Sequence, residues 1–130
     1  MTRHLAIFVG DAIEKIFRGE KVVEGRFSEN RNVPFGQVAR ADEIYLKQSG
    51  GPIVGQVTVD NVLYFEGLDG AIIGKLRREY GREMAVDDQF WRAKGKARFA
   101  TLIFLRRARR FVVPLALKKR DRRSWLILSE

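Results

Sequence analysis

Apolar and polar residues alternate with a period of two along several stretches of this chain, the pattern of half-buried β-strands. Residues 21–27, 43–47 and 53–65 alternate in this way, and the glycine-rich turn at 48–52 predicts a hairpin between the last two. Residues 5–9 form a short apolar run typical of a buried strand. Residues 97–105 are apolar on both faces, which predicts a central strand, and 106–110, 111–117 and 124–128 predict further strands and turns.

Three segments between these strands predict helices. Asp11 is a candidate N-cap for a helix over 12–18, and Gly19 stands where a helix ends in a left-handed residue. Asp69 begins a helix that runs to residue 80 and ends at Gly81, and the aspartates 87–88 open a shorter helix closed by Gly95. Short, mostly consecutive strands with inserted helices predict the α+β class, as a small curved antiparallel sheet or a partly closed barrel.

Length and composition fit an ordinary globular protein. The 130 residues predict a single domain spanning 1–130, and 45% hydrophobic residues are enough to close a core. There is no cysteine and one histidine, His4, so disulfides and a cysteine-built zinc site are excluded, and we expect neither a metal nor a cofactor. The apolar run 5–9 is too short for a signal peptide. The helix that Asp69 begins is short for a membrane-surface helix, and its apolar arc is needed for the core. We therefore expect a cytoplasmic chain without a membrane partner.

The chain is strongly basic, with 25 Lys and Arg against 16 Asp and Glu and a net charge of +9. Nine of these cations lie within eighteen positions, with Asp121 as the single acidic residue among them. Such clustering favours a nucleic-acid partner that the cations contact through phosphates, against the alternative of a solvated basic surface. The candidate contacts are Arg106, Arg107, Arg109, Arg110, Lys118, Lys119, Arg120, Arg122 and Arg123.

Lys21, Glu24 and Arg26 form the most informative cluster of charged residues. They lie on the strand that follows the first helix, where alternation places Glu24 and Arg26 on one face and Lys21 near the other. Arg26 offers a planar fork to a phosphate or a base carbonyl, and Glu24 could accept from an exocyclic amine. Glu24 as general base and Lys21 as electrophilic donor or nucleophile are the candidate catalytic roles. The alternative is an ion pair of little consequence.

These residues also carry a resemblance to a known family. The spacing of Gly19, Lys21, Glu24 and Arg26 is similar to the GxKxxExR signature of ASCH domains, small members of the PUA-like fold. The run 35–55, with its glycine hairpin, resembles the family's hairpin, and 122–125 resembles its last strand. The resemblance implies a PUA-like, mostly antiparallel β-barrel with inserted helices and a nucleotide-sized cleft lined by the signature. It also implies an RNA-related role.

The resemblance leaves the activity open. One branch of the family hydrolyses acetylated cytidine with the signature lysine and a threonine three positions later, whereas this chain has Glu24 there. Another branch is reported to cleave RNA. We therefore expect an RNA-binding domain, with a small hydrolase acting on a modified nucleoside or on RNA, and a protein-interaction domain, as the alternatives. The candidate ligand-binding residues are Lys21, Glu24, Arg26, Arg31 on the long loop 28–41, and Lys47, Ser49 and Gly50 at the hairpin.

Overall fold

The computed structural model of the chain describes residues 1–117 and 122–129. The strands are β1 (Arg3–Phe8), β2 (Val23–Ser28), β3 (Glu43–Gln48), β4 (Ile53–Glu66), β5 (Phe99–Leu115) and β6 (Trp125–Ser129). The helices are α1 (Ala12–Phe17), α2 (Gly70–Met84) and α3 (Asp88–Ala93).

The described strands form one curled sheet in the order β2-β5-β4-β3-β1-β6, which makes a half-barrel. Neighbouring strands are antiparallel except for β1 and β3, which are parallel. The parallel pair arises because the chain leaves β1 through α1, adds β2 at the far edge of the sheet, and only then returns beside β1. The predicted α+β class and the mostly antiparallel, partly closed sheet are confirmed.

The first part of β5 is covered on both faces, as expected for a central strand, whereas its arginine-rich part is largely exposed. Ile103 packs into a cluster with residues of β1, β3, β4, α1 and β6, whereas the adjacent Leu102 packs into a second cluster with α2 and α3. Consecutive strand residues point to opposite faces, so the two apolar clusters lie on opposite sides of β5. Trp125 anchors β6 in the first cluster, and Met84 ends α2 in the second.

Helix α2 and strand β5 are longer than the sequence pattern predicts. Gly81 does not end α2, which continues to Met84 and ends at Ala85 with a left-handed φ of 53°. A side chain at position 81 would make only ordinary contacts, since an added Cβ atom would lie 3.6 Å from Arg77 and 3.7 Å from Trp91. Strand β5 runs through the arginine-rich segment because β4 offers a continuous antiparallel partner, and shifts of register absorb the irregularities.

A buried polar triad joins β1 to the neighbouring elements. The Nε2 atom of His4 lies 2.9 Å from Asp42 Oδ2, and Trp125 Nε1 donates to His4 Nδ1 at 3.1 Å. Asp42 also accepts from the backbone N–H groups of Thr2 at 3.0 Å and Ala39 at 2.9 Å. Burial alone would raise the pKa of the Asp42 carboxyl, but these hydrogen bonds outweigh it and lower the pKa.

Within the part of the chain that the structure describes, no helix is both long enough and apolar enough to cross a membrane. Across those same residues, no group of three or more His, Asp or Glu side chains is arranged to hold a metal ion.

Candidate functional site

A cavity of about 520 Å³ opens between α1, β1, β2 and the segment that joins α2 to α3. This volume is in the range of small-molecule sites in proteins. Its wall combines Lys21, Glu24 and Arg26 with aromatic and further charged residues. The lining residues used below are Phe8, Lys15, Lys21, Glu24, Arg26, Phe27, Ala85, Phe90, Lys94 and Ser124.

Lys21 reaches this cavity because it precedes the strand. Helix α1 ends in a tight turn at Gly19, whose φ is 79°, and the backbone N–H groups of Glu20 and Lys21 both donate to Lys15 O. Strand β2 begins only at Val23, so side-chain alternation does not extend back to Lys21. The expectation that Lys21 lies near the other face from Glu24 is therefore wrong.

Glu24 is the centre of a buried charged triad. Its Oε1 atom lies 2.9 Å from Lys21 Nζ, and its Oε2 atom accepts from Arg26 Nε at 2.6 Å. Lys21, only 2% exposed, also donates to Met84 O at 2.6 Å. Burial alone would raise the pKa of the Glu24 carboxyl, but the charges and hydrogen bonds of Lys21 and Arg26 lower it below its usual value. Glu24 is therefore an ionised carboxylate whose two oxygens are both in use.

Arg26 ties the triad to the opposite wall of the cavity. Its Nη2 atom donates to Ile7 O at 3.0 Å, and its Nη1 atom donates to Ser124 O at 3.2 Å. The guanidinium carbon lies 5.0 Å from the ring centroid of Phe8 and 5.2 Å from that of Trp125. The described contacts use three of the five guanidinium N–H groups, so two remain for a ligand.

Lys94 also lines the cavity, although the sequence pattern does not predict it as a site residue. It follows α3, and its Nζ atom lies 5.0 Å from the ring centroid of Phe90. Burial and, to a lesser extent, the charge of Arg26 lower the pKa of the Lys94 amine, while Glu24 opposes this shift. No described hydrogen bond or ion pair engages this amine, so it is available to a ligand. The four-residue spacing of Phe90 and Lys94 on a short helix is the only sequence signal for it.

Solved structures with the same architecture come from ASCH proteins. A variant of the ASCH protein from Zymomonas mobilis superposes with a TM-score of 0.77 at 18% identity, covering 100% of this chain and 92% of that one. The unmodified Zymomonas mobilis protein superposes with a TM-score of 0.75 at 17% identity, covering 98% and 88%. The chain has the ASCH-domain fold. No protein-family model and no curated protein matches the sequence significantly, so the likeness concerns the fold alone.

The ASCH fold brings only part of the predicted ligand set to the cavity. Arg31, Lys47, Ser49 and Gly50 do not line it. Arg31 pairs with Glu66 at 2.7 Å, and its guanidinium also lies over two aromatic rings. Lys47 is buried, with its Nζ atom 3.4 Å from Gln48 O. The backbone N–H of Ser49 donates to Phe8 O at 2.8 Å, and Gly50 is exposed with a φ of 73°.

The arginines of β5 form a basic arm of the ASCH fold, which we define as Arg106, Arg107, Arg109 and Arg110. Three of them are exposed, and Arg106 is half-buried. Arg110 is partly engaged, because it donates to Glu14 at 2.8 Å and covers the ring of Phe17. Arg122 and Arg123 are exposed before β6. The remaining predicted contacts, Lys118, Lys119 and Arg120, lie outside the described residues.

Proposed function

We propose that this chain is an RNA-binding domain that holds one nucleotide in the cavity and contacts phosphates with the basic arm. The observation that carries the proposal is the cavity itself, where a buried, prearranged charged triad lies beside aromatic rings and the unengaged amine of Lys94. Aromatic faces accept bases of any sequence, and charged donors fix the polar edge of a base or a phosphate.

Each group in the cavity has a distinct part in this proposal. Glu24 holds Lys21 and Arg26 in place, so its own capacity to accept from a ligand is small. Arg26 offers its two remaining N–H groups to a base carbonyl or a phosphate oxygen. Lys94 adds a cation that no described hydrogen bond or ion pair engages, and the ring of Phe90 beside it offers a stacking surface.

The basic arm supplies the affinity that does not depend on base identity. Phosphate contacts dominate nucleic-acid binding and position the strand, whereas pockets select what they hold. Helix α1 separates the arm from the cavity, and Arg110 already contacts that helix through Glu14. A strand held by the arm would therefore lie near the cavity.

The contacts support binding over hydrolysis by the predicted pair. A general base must accept a proton, but Glu24 has a lowered pKa and both of its oxygens are engaged. Lys21 donates to Glu24 and to Met84 O, which favours a fixed donor over a nucleophile. The catalytic roles of Lys21 and Glu24 stay predictions.

Fluorescence anisotropy with a labelled single-stranded RNA tests the proposal. Lys94→Gln removes the cavity cation that no described ion pair engages, and Arg107→Gln removes a cation of the basic arm. Lys96→Gln and Arg78→Gln are matched controls, since both residues are exposed and neither lines the cavity.

We expect each test variant to weaken RNA binding by roughly tenfold, the effect of losing one charge-assisted contact, and the controls to bind like the wild type. Arg107→Gln should also make binding less dependent on salt. The slope of the logarithm of the binding constant against the logarithm of the salt concentration should become shallower by about 0.7, the value for one lost phosphate contact on a single strand. Equal affinities of Lys94→Gln and Lys96→Gln would contradict the role of the cavity. Absence of RNA binding by the wild type would contradict the proposed function altogether.

A further inference from the structure

A second cavity, of about 320 Å³, lies on the other side of α1. Its walls are the end of α1, the residues that lead into β2, and the part of β5 that carries the basic arm. Among the described residues, four cationic residues line it and no acidic one does: Arg18, Lys21, Arg106 and Arg107. The rest of the described wall is largely apolar, including Phe17, Val22 and Leu105. A cleft with charges of one sign and apolar walls strengthens the field on an ion that enters it.

Arg107 is placed at this cavity by an irregularity of the sheet. Gln56 pairs with Arg109 and Thr58 with Arg106, so Arg107 and Ala108 together oppose the single residue Val57. This is a β-bulge, a feature that re-aims side chains and is over-represented beside functional sites. Arg107 has a φ of 53°, a left-handed conformation that costs a non-glycine residue free energy. An arginine stands where a glycine would fold with less strain.

Within the part of the chain that the structure describes, neither arm residue at this cavity is hydrogen-bonded to a carboxylate. The Nε atom of Arg106 is buried without a hydrogen-bond partner among those residues, and its ion pair with Asp60 is long, at 3.8 Å from Nε to Oδ1. Arg107 makes no ion pair with any residue in 1–117 or 122–129. An unpartnered buried donor is uncommon in folded proteins, and an anion would supply the missing acceptor.

The end of α1 does not oppose an anion at this position. Free carbonyl groups at a helix C-terminus would repel negative charge. Three of the last four carbonyl groups of α1 are engaged here, because Glu14 O accepts from Arg18 N, Ile16 O from Gly19 N, and Lys15 O from two further backbone N–H groups. Arg18 pairs with Glu20 at 3.1 Å and Lys21 with Glu24 at 2.9 Å, whereas Arg106 has only its longer pair with Asp60 at 3.8 Å. Arg106 and Arg107 are therefore the cations best placed to bind a ligand.

We propose that this second cavity is a phosphate-binding site, in which Arg106 and Arg107 hold a phosphate group between the end of α1 and the bulge of β5. Lys21 lines both cavities, so a phosphate here would lie next to the nucleotide of the first cavity. That the phosphate belongs to RNA rests on the proposed function. The phosphate site itself does not, because a free phosphate ion has the same chemistry.

A titration of the isotope-labelled protein with inorganic phosphate, at constant ionic strength maintained with chloride, tests the site. The measurement follows backbone amide shifts by NMR. We expect saturable shifts at Gly19, Val22 and Ala108, which lie in the cavity wall. Absence of shifts there, or shifts that grow linearly and spread over all basic segments, would overturn the proposal.

Arg107→Gly separates the site from folding. Glycine adopts the left-handed conformation without strain, so the variant should unfold at the same or a higher temperature than the wild type. We expect it to bind phosphate roughly tenfold more weakly, because a charge-assisted hydrogen bond is lost. Arg78→Gln, an exposed change outside the cavity, should leave phosphate binding unchanged. A stable Arg107→Gly protein that binds phosphate like the wild type would overturn the site.

RNA binding, measured on the same samples, distinguishes the two proposals. If the wild type binds RNA but phosphate gives no saturable response at this cavity, the phosphate site is overturned and the proposed function stands. If phosphate binds saturably but the protein does not bind RNA, the site stands and RNA as the source of the phosphate is overturned. The same conclusion follows if the protein binds RNA but phosphate does not compete with it.

Discussion

Replacing Glu24 by glutamine removes the negative charge from the centre of the triad while nearly preserving its shape. The carboxylate lies 2.9 Å from Lys21 Nζ and 2.6 Å from Arg26 Nε, and the residue is 8% exposed. A glutamine can accept from one of these cations but must turn its amide nitrogen, a donor, toward the other. The variant therefore leaves at least one buried cation without its counter-charge.

The expected loss follows from how buried each cation is. Breaking a buried ion pair by removing one partner costs about 3–5 kcal/mol. Arg26 is 15% exposed in its side chain and keeps two carbonyl acceptors, whereas Lys21 is 2% exposed and keeps one. Because Arg26 retains partial compensation, we expect the lower end of this range, about 3 kcal/mol. For a domain of this length that is a decrease in Tm of roughly 10–15 °C.

Urea unfolding followed by circular dichroism measures this loss, with Glu20→Gln as the matched control. Glu20 pairs with Arg18 at 3.1 Å, but both side chains are more than half exposed, so the control should change stability by less than about 0.5 kcal/mol. A Glu24→Gln variant within about 1 kcal/mol of the wild type would refute the reasoning that Glu24 is a structural counter-charge.

Two further predictions concern stability. Glu24 and Asp42 both have lowered pKa values in the folded chain, so their contribution to stability is complete above their ordinary values of 4.5 and 3.8 and is lost as the pH falls through the lower folded values. The free energy of unfolding should therefore be level above about pH 5 and decrease below about pH 4. The Asp42→Asn variant should be about 1–3 kcal/mol less stable than the wild type at about pH 7, and its stability should depend less on acid in the same urea titrations. Gly55→Ala should destabilise the chain by about 1–3 kcal/mol, because the added methyl group would overlap the Arg109 carbonyl oxygen and the Phe17 ring. Gly74→Ala is the control, because its methyl group would meet nothing closer than 3.5 Å, and it should leave the Tm unchanged or raise it. Equal Tm values for the two variants would contradict the close approach of β4 and β5.

Most of the strand pattern could be predicted from the sequence because burial on one face leaves a period of two. The strands over 5–9, 43–47 and 53–65 are present within one or two residues, and Asp69 and Asp87 do cap helices through their side chains. The end of α2 and the continuity of β5 could not be predicted. Helix α2 continues through Gly81 to Met84, whose side chain is buried in the second cluster, and that packing depends on tertiary structure.

The candidate site could be predicted only where it lies on one segment. Lys21, Glu24 and Arg26 are close in sequence, and the structure brings all three to one cavity. Lys94 and Ser124 come from distant segments that the curl of the sheet brings to the same cavity, and no periodicity reports that proximity. The face occupied by Lys21 was mispredicted because alternation is a property of strands, and β2 begins two residues later.

The salt dependence of RNA binding tests the proposed function most directly. Wild-type protein is titrated into labelled single-stranded RNA at several salt concentrations, and the logarithm of the binding constant is plotted against the logarithm of the salt concentration. Because Arg106 and Arg107 share one phosphate in the proposed site, the basic arm contacts about three phosphates, which at about −0.7 each predict a slope of about −2. No detectable binding at low salt, or a slope near zero, would contradict an RNA-binding role.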